Sequence, residues 1–302
     1  MLHMTFRREV LAARSRNGVA LMGICNVTPD SFSDAGQALG PQAARARIDE
    51  LLRDGADVID IGAESTRPGA QRVSSVEQID RVGGAVAYAS VRALTSIDTT
   101  RAEVASEALL QGAHLVNDVS MGLDDREAMA KLVARTGAAW CLSHARGTQS
   151  ALSGYGAYDQ NGYGSDVVAA VVTELRTAMS DVTARFGIAP EALLPDPGLG
   201  FDKSSAQSMY LLQHTSVLAA EFEGWLLVGA SRKSFLNLAE GSNIAPAQRL
   251  GASVAAALWA KAAGATMVRV HDVAQTGHAL KLNAVLLNHR ADPSEEARSA
   301  HA

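Results

Sequence analysis

Short apolar runs of strand length recur along the whole chain, at residues 19–24, 58–61, 94–99, 114–119, 138–144, 193–200, 225–230 and 266–271. Their length and their Val, Ile and Leu content are those of parallel strands buried on both faces. Between them, apolar positions return at helical spacing over residues 43–53, from Ser75 onward, and over 102–110, 125–136, 166–186, 205–218, 245–263 and 273–287. Gly55 and Gly112 stand where a helix would stop, and Ser75 with Gln78 three residues on spells a capping box. The pattern predicts eight strands alternating with eight helices.

The stretch ADVIDIGAESTRPGA, residues 56–70, shows the repeating unit best. Val58, Ile59 and Ile61 surround Asp60 as a buried strand, which then gives way to Gly62, Ala63, Glu64, Ser65, Thr66, Arg67 and Pro68. No core absorbs that many unpaired polar groups, so they belong at an open end. Strands that discharge polar residues at their carboxyl ends, with no break in composition between units, predict the α/β class and a single (β/α)8 TIM barrel. An open doubly wound sheet is the alternative, but no G-x-G-x-x-G or G-x-x-x-x-G-K-[ST] follows any predicted strand. Residues 1–17 read as an N-terminal arm, 18–289 as the barrel and 290–302 as a disordered tail, while the Gly- and Tyr-rich segment 147–164 reads as a mobile loop over the mouth.

Composition changes this picture little. The 302 residues suit one barrel, and a net charge of −5 points to neither nucleic acid nor an acidic membrane. Cys25 and Cys141 lie in separate apolar runs without zinc-ligand spacing, as buried thiols of a reducing compartment would. The first residues carry Arg7, Arg8, Arg14 and Arg16 without an apolar stretch of signal-peptide length, so a soluble, cytoplasmic protein is expected.

In a barrel all strand ends converge on one mouth. That gathers Asn26, Glu64, Thr66, Arg67, Asp98, Asn117, Asp118, His144, Arg146, Asp196, Ser231, Arg232, Lys233, Arg269, His271 and Asp272. Asp98, Asn117, Asp196 and Lys233 match the donor and acceptor edge of a planar, amide-rich heterocycle. Thr66, Arg67, Arg269 and His271, with the Asn26 amide, suit a polyanion such as diphosphate. Arg269 and His271, two apart on a strand, share a face, and an arginine facing a barrel interior without an anion would be costly. Simpler readings stay open: Asp98, Asn117 and Asp118 as caps of loops or helices, His144 as a packed histidine, Arg67 as a solvated loop residue and Lys233 as a surface lysine.

The segments NVTPDSFSDAG (26–36), GAESTRPGA (62–70), SIDTTRAEV (96–104), ND (117–118), DPGLGFDK (196–203), SRKSF (231–235) and RVHDV (269–273) resemble, in this order, the dihydropteroate synthase family of folate biosynthesis. The resemblance runs from about residue 21 to 287 and implies a pterin-binding barrel. It implies that Asp98, Asn117, Asp196 and Lys233, beside Phe201, hold the pterin. It also implies that Asn26, Thr66, Arg67, Arg269 and His271 hold diphosphate, with Asn26 on its Mg2+. Phe32, Thr66, Pro68 and Ser231 would line the 4-aminobenzoate site. Asp98, Lys233, Thr66 and Arg67 are the residues this assigns to catalysis.

The implied reaction joins 7,8-dihydropterin-6-ylmethyl diphosphate to 4-aminobenzoate, releasing diphosphate and 7,8-dihydropteroate, in a homodimer that sulfonamides would target. Three other readings are weighed against it: an inactive pterin-binding paralogue, a pterin-dependent methyltransferase, and a Schiff-base aldolase using Lys233. Departures from the family pattern are Ser143 and Ala145 around His144, Ala63, Ala230, and Asp202 where a glycine is usual.

Overall fold

A computed structural model describes residues 1–27, 41–64, 73–147 and 162–288. Its eight strands are β1 (Ala20–Asn26), β2 (Val58–Gly62), β3 (Leu94–Asp98), β4 (Leu115–Asp118), β5 (Ala139–Ser143), β6 (Leu193–Asp196), β7 (Leu227–Val228) and β8 (Met267–Val270). All pairings are parallel, in the order β6-β5-β4-β3-β2-β1-β8-β7. β6 and β7 lie side by side without a ladder, and the Trp225 indole N–H donates to the Leu193 carbonyl at 3.1 Å across that seam. The chain is therefore a (β/α)8 TIM barrel, as the alternation of runs predicts.

Around it lie α2 (Pro41–Arg53), α3 (Ser75–Val82), α4 (Ala85–Ser90), α5 (Ala102–Leu110), α6 (Arg126–Thr136) and α7 (Val167–Phe186). They are followed by α8 (Ser205–Gln213), α9 (Thr215–Glu221), α10 (Asn237–Glu240), α11 (Leu250–Ala262) and α12 (Val273–Asn288). Three boundaries differ from expectation for local reasons. Ser74, not Ser75, caps α3 by accepting from the Glu77 amide, because Gln78 is drawn inward to donate to Glu64. The helix expected over 205–218 is two, α8 and α9, meeting at His214. The helix expected from residue 245 begins as the 3-10 turn Pro246–Arg249.

Residues 1–17 are more than an arm. Phe6, Val10 and Ala13, at helical spacing on α1 (Leu2–Asn17), are buried beneath the barrel with Trp225, Leu227 and Met267. Phe6 meets Trp225 edge to face at 6.4 Å between ring centroids. Val58, Leu94, Leu115, Ala139 and Leu194 complete this apolar lower interior. One step up the same strand faces, the side chains become Asp60, Ser96, Asn117, Cys141 and Asp196. α1 thus seals the end opposite the polar one.

Replacing Phe6 by Ala removes a fully buried ring from this seal. It should cost about 3–4 kcal/mol in a denaturant melt, whereas a loss below about 1 kcal/mol would mean that α1 does not close the barrel.

Candidate active site

The polar half of the interior is tied together at β8. Arg269 donates from Nε to Asp60 Oδ2 at 2.6 Å and from Nη2 to Asp98 Oδ2 at 2.7 Å. Asn117 donates to the same Asp60 oxygen at 3.1 Å. Burial works against the Arg269 charge, yet Asp60 and Asp98 hold its pKa above the ordinary value. Burial pushes the Asp98 carboxyl up to about 7 even though Arg269 opposes this. The other oxygens, Asp60 Oδ1 and Asp98 Oδ1, are buried with no donor among the described residues, which leaves two acceptors in this layer unsatisfied.

Asp196, at the end of β6, accepts from the Gly198 amide at 2.8 Å, and burial raises its pKa. Lys233 reaches over from beyond β7, donating to the Leu199 carbonyl and resting its ammonium 4.3 Å from the centre of the Phe201 ring. Burial lowers Lys233 to about 8, with Asp196 holding it up. Gly62 keeps the floor open between β1 and β3: a Cβ there would lie 3.3 Å from the Asp98 Cβ and 3.6 Å from Asn26 Oδ1. The result is a polar layer at the strand ends that gathers carboxylates, an amide and an ammonium around one arginine, with an aromatic ring beside the ammonium.

A family profile described as pterin binding enzyme matches residues 22–271. The chain belongs to the dihydropteroate synthase family. Dihydropteroate synthase of Mycobacterium leprae is 40% identical over 269 residues, covering 87% of this chain and 92% of the relative. Among solved structures, Xanthomonas albilineans dihydropteroate synthase with 4-aminobenzoic acid superposes with a TM-score of 0.78 at 36% identity, covering 91% of this chain and 94% of that one. The same enzyme in complex with 7,8-dihydropteroate gives 0.75 at 33% identity, covering 91% and 95%.

Within this dihydropteroate synthase-family barrel, the expected residues separate by strand face. Asp98, Asn117, Asp196, Lys233 and Arg269 come together, with Asn26 at the end of β1 beside Gly62. Asp60 belongs with them and was absent from the sequence-derived set. Ser231 and His271 meet each other, the Ser231 hydroxyl accepting from the His271 amide at 3.2 Å. Thr66, Arg67, Pro68 and Phe32 lie outside the described residues, as do 148–161 of the segment 147–164 and the tail from 290.

Other candidates brace the rim. Asp118 accepts from the amide and hydroxyl of Ser120, a loop cap. Glu64 accepts from the Val73 amide and from Gln78. Arg232 pairs with Asp272, and Arg146 with Glu174. His144 is a packed histidine between Lys203 and Glu174.

Asp60→Asn would leave Arg269 with one of its two carboxylates and remove the charge it faces. A loss of about 3 kcal/mol in urea unfolding is expected; an unchanged midpoint would show that Asp60 does not neutralise the arginine.

Proposed function

We propose that the barrel condenses 7,8-dihydropterin-6-ylmethyl diphosphate with 4-aminobenzoate to 7,8-dihydropteroate and diphosphate. Membership of the dihydropteroate synthase family makes the chain a transferase, and its relatives support this reading over an inactive pterin-binding paralogue. The observation that carries the reading is the buried acceptor set of Asp98, Asn117 and Asp196 with one ammonium, Lys233. A pterin presents ring N–H and exocyclic amino donors beside a carbonyl acceptor, the complement of that set.

The proposed course is a dissociative substitution. The pterin ring delocalises the cation left at the methylene, and Asp98 and Asp196 stabilise that positive charge from a site already screened from water. The C–O bond to diphosphate breaks first, taking its electron pair to the leaving anion; the arylamine nitrogen then forms the C–N bond to the cation, and its proton leaves to solvent. Arg269, His271, Thr66 and Arg67 are proposed to hold the departing anion, and Phe32, Thr66, Pro68 and Ser231 the arylamine. Competition by sulfonamides for that arylamine pocket belongs to the same proposal.

Mg2+ is proposed as the cofactor, and the donor set accommodates it in one way. No group of three or more His, Cys, Asp or Glu side chains forms a metal cage among the described residues. Asn26 offers one amide oxygen above a floor that Gly62 keeps clear. That suits an ion taking most of its ligands from substrate phosphates and water. When bound it would neutralise charge on the leaving diphosphate. A homodimer is also proposed: Trp259 on α11 and Leu282, Val285, Leu286 and Leu287 on α12 are exposed apolar side chains that a second copy would cover. The unbridged thiols of Cys25 and Cys141 support a cytoplasmic setting.

Diphosphate release that depends on 4-aminobenzoate, with dihydropteroate formed, is the expected result with purified protein, the pterin diphosphate and Mg2+. Pterin binding without turnover would instead select the inactive paralogue. The profile of kcat/KM against pH should be bell-shaped. Below about 7 Asp98 takes up a proton and stops accepting, and above about 8 Lys233 loses its charge. Asp98→Asn should remove the acid limb, and a limb that survives it belongs to another group. Because Arg269 also holds Asp98 in place, Arg269→Met should weaken binding of both a bare pterin and the pterin diphosphate, with the larger loss for the diphosphate; equal losses would remove Arg269 from the anion site.

A further inference from the structure

Lys203 is fully buried, and it meets the residues assigned to substrate through the Phe201 backbone carbonyl, not through a side chain. Its ammonium lies within hydrogen-bond distance of the carbonyls of Phe201 at 2.9 Å, Gly198 at 3.1 Å and His144 at 3.2 Å and of His144 Nδ1 at 2.9 Å, so its three N–H donors are shared among four acceptors. The turn after β6 is therefore wrapped around one cation and bound through it to the end of β5. The two backbones touch: Gly198 sits at φ +64, and a Cβ there would fall 2.0 Å from the His144 carbonyl oxygen.

The other side of this turn holds Lys233. Leu199, whose carbonyl accepts from Lys233, lies between Gly198 and Phe201, and the Phe201 ring sits against the same ammonium. The carbonyls that Lys203 fixes thus flank the two groups on which Lys233 rests. Outward from Lys203 the order continues. His144 and Arg146 hold the Glu174 carboxyl below its ordinary range, so it stays ionised and can only accept; the neutral His144 ring therefore carries its proton on Nε2 and its Nδ1 accepts from Lys203. That Nε2–H donates to Glu174 Oε2 at 3.0 Å, and Arg146 Nε donates to the same oxygen at 3.1 Å. Burial, and after it the Lys203 charge, depress His144 to about 4, which keeps the ring neutral at working pH.

We propose that Lys203 and His144 are positioning residues for the pterin half of the reaction, aiming the Leu199 carbonyl and Phe201 ring that hold Lys233. The proposal rests on the pterin reading of Lys233. Glu174, on α7, orients His144 and makes the outer helix part of the pocket's support. No substrate contact by Lys203, His144 or Glu174 is required.

The test compares His144→Leu with His144→Asn in the full chain. The two side chains are similar in size, but the Asn amide oxygen can stand near Nδ1 and accept from Lys203. Calorimetry with 6-hydroxymethyl-7,8-dihydropterin should give about a tenfold weaker Kd for the Leu variant and a change within about threefold for the Asn variant. The KM for 4-aminobenzoate should stay unchanged in both. Equal pterin losses in the two variants, or equal losses for both substrates, would overturn the proposal and reduce His144 to packing. If the Leu variant does not fold, Glu174→Gln serves: pterin Kd raised about threefold at constant 4-aminobenzoate KM supports the proposal, and no change overturns it. Wild-type protein that binds no pterin would overturn the functional reading itself, which separates the two failures.

Discussion

A guanidinium inside a barrel must be neutralised where it stands, and Arg269 is neutralised by carboxylates from β2 and β3. That requirement shapes the upper interior. Asp60 is placed to take Nε, Asp98 takes Nη2, and Asn117 supplies the further donor that Asp60 needs. Three strands besides β8 are thereby committed to one cluster. The cluster leaves two buried acceptor oxygens, Asp60 Oδ1 and Asp98 Oδ1, without a donor among the described residues, and a planar heterocycle with N–H donors is the ligand proposed for them. The same charges that would destabilise an empty core are those the proposed chemistry would use.

The apolar lower interior makes this affordable. Met22, Val58, Leu115, Leu194 and Leu227 fill the barrel below the charged layer, and α1 shuts out water with Phe6 and Val10. Above the layer, the loops carry their own ion pairs. Arg232 with Asp272, Arg146 with Glu174, and Arg249 on the carbonyls of Arg232 and Ile244 fix the rim from outside. Asp98, Asn117 and Asp196 thus stand at strand ends, the outer ion pairs brace the loops beyond them, and the Lys203–His144 contact ties the turn after β6 to the end of β5.

The barrel was legible because buried parallel strands are apolar on both faces, and Gly- and Ser-rich stops separate them from amphipathic helices. Much of the site was legible for the same reason, since Asp98, Asn117 and Asp196 end those strands abruptly. What strand-end position alone does not give is the face. Asn117 points inward and Asp118, one residue later, caps a loop, because side chains alternate along a strand. Asp60 was hidden by Ile59 and Ile61, although a carboxylate within such a run is itself a sign of an interior partner. α1 was readable in the spacing of Phe6, Val10 and Ala13, but the arginines between them resemble an exposed arm. The pairing of Lys203 with His144 joins residues 59 positions apart, and no local pattern announces it.

A crystal structure of the protein with 7,8-dihydropteroate bears most directly on the central claim, that the Arg269-centred layer is the pterin site. The pterin ring should lie within hydrogen-bonding distance of Asp98, Asn117, Asp196 and Lys233, with Arg269 still paired to Asp60. A ring bound elsewhere on the barrel, with Asp98 and Asp196 untouched, would contradict the claim.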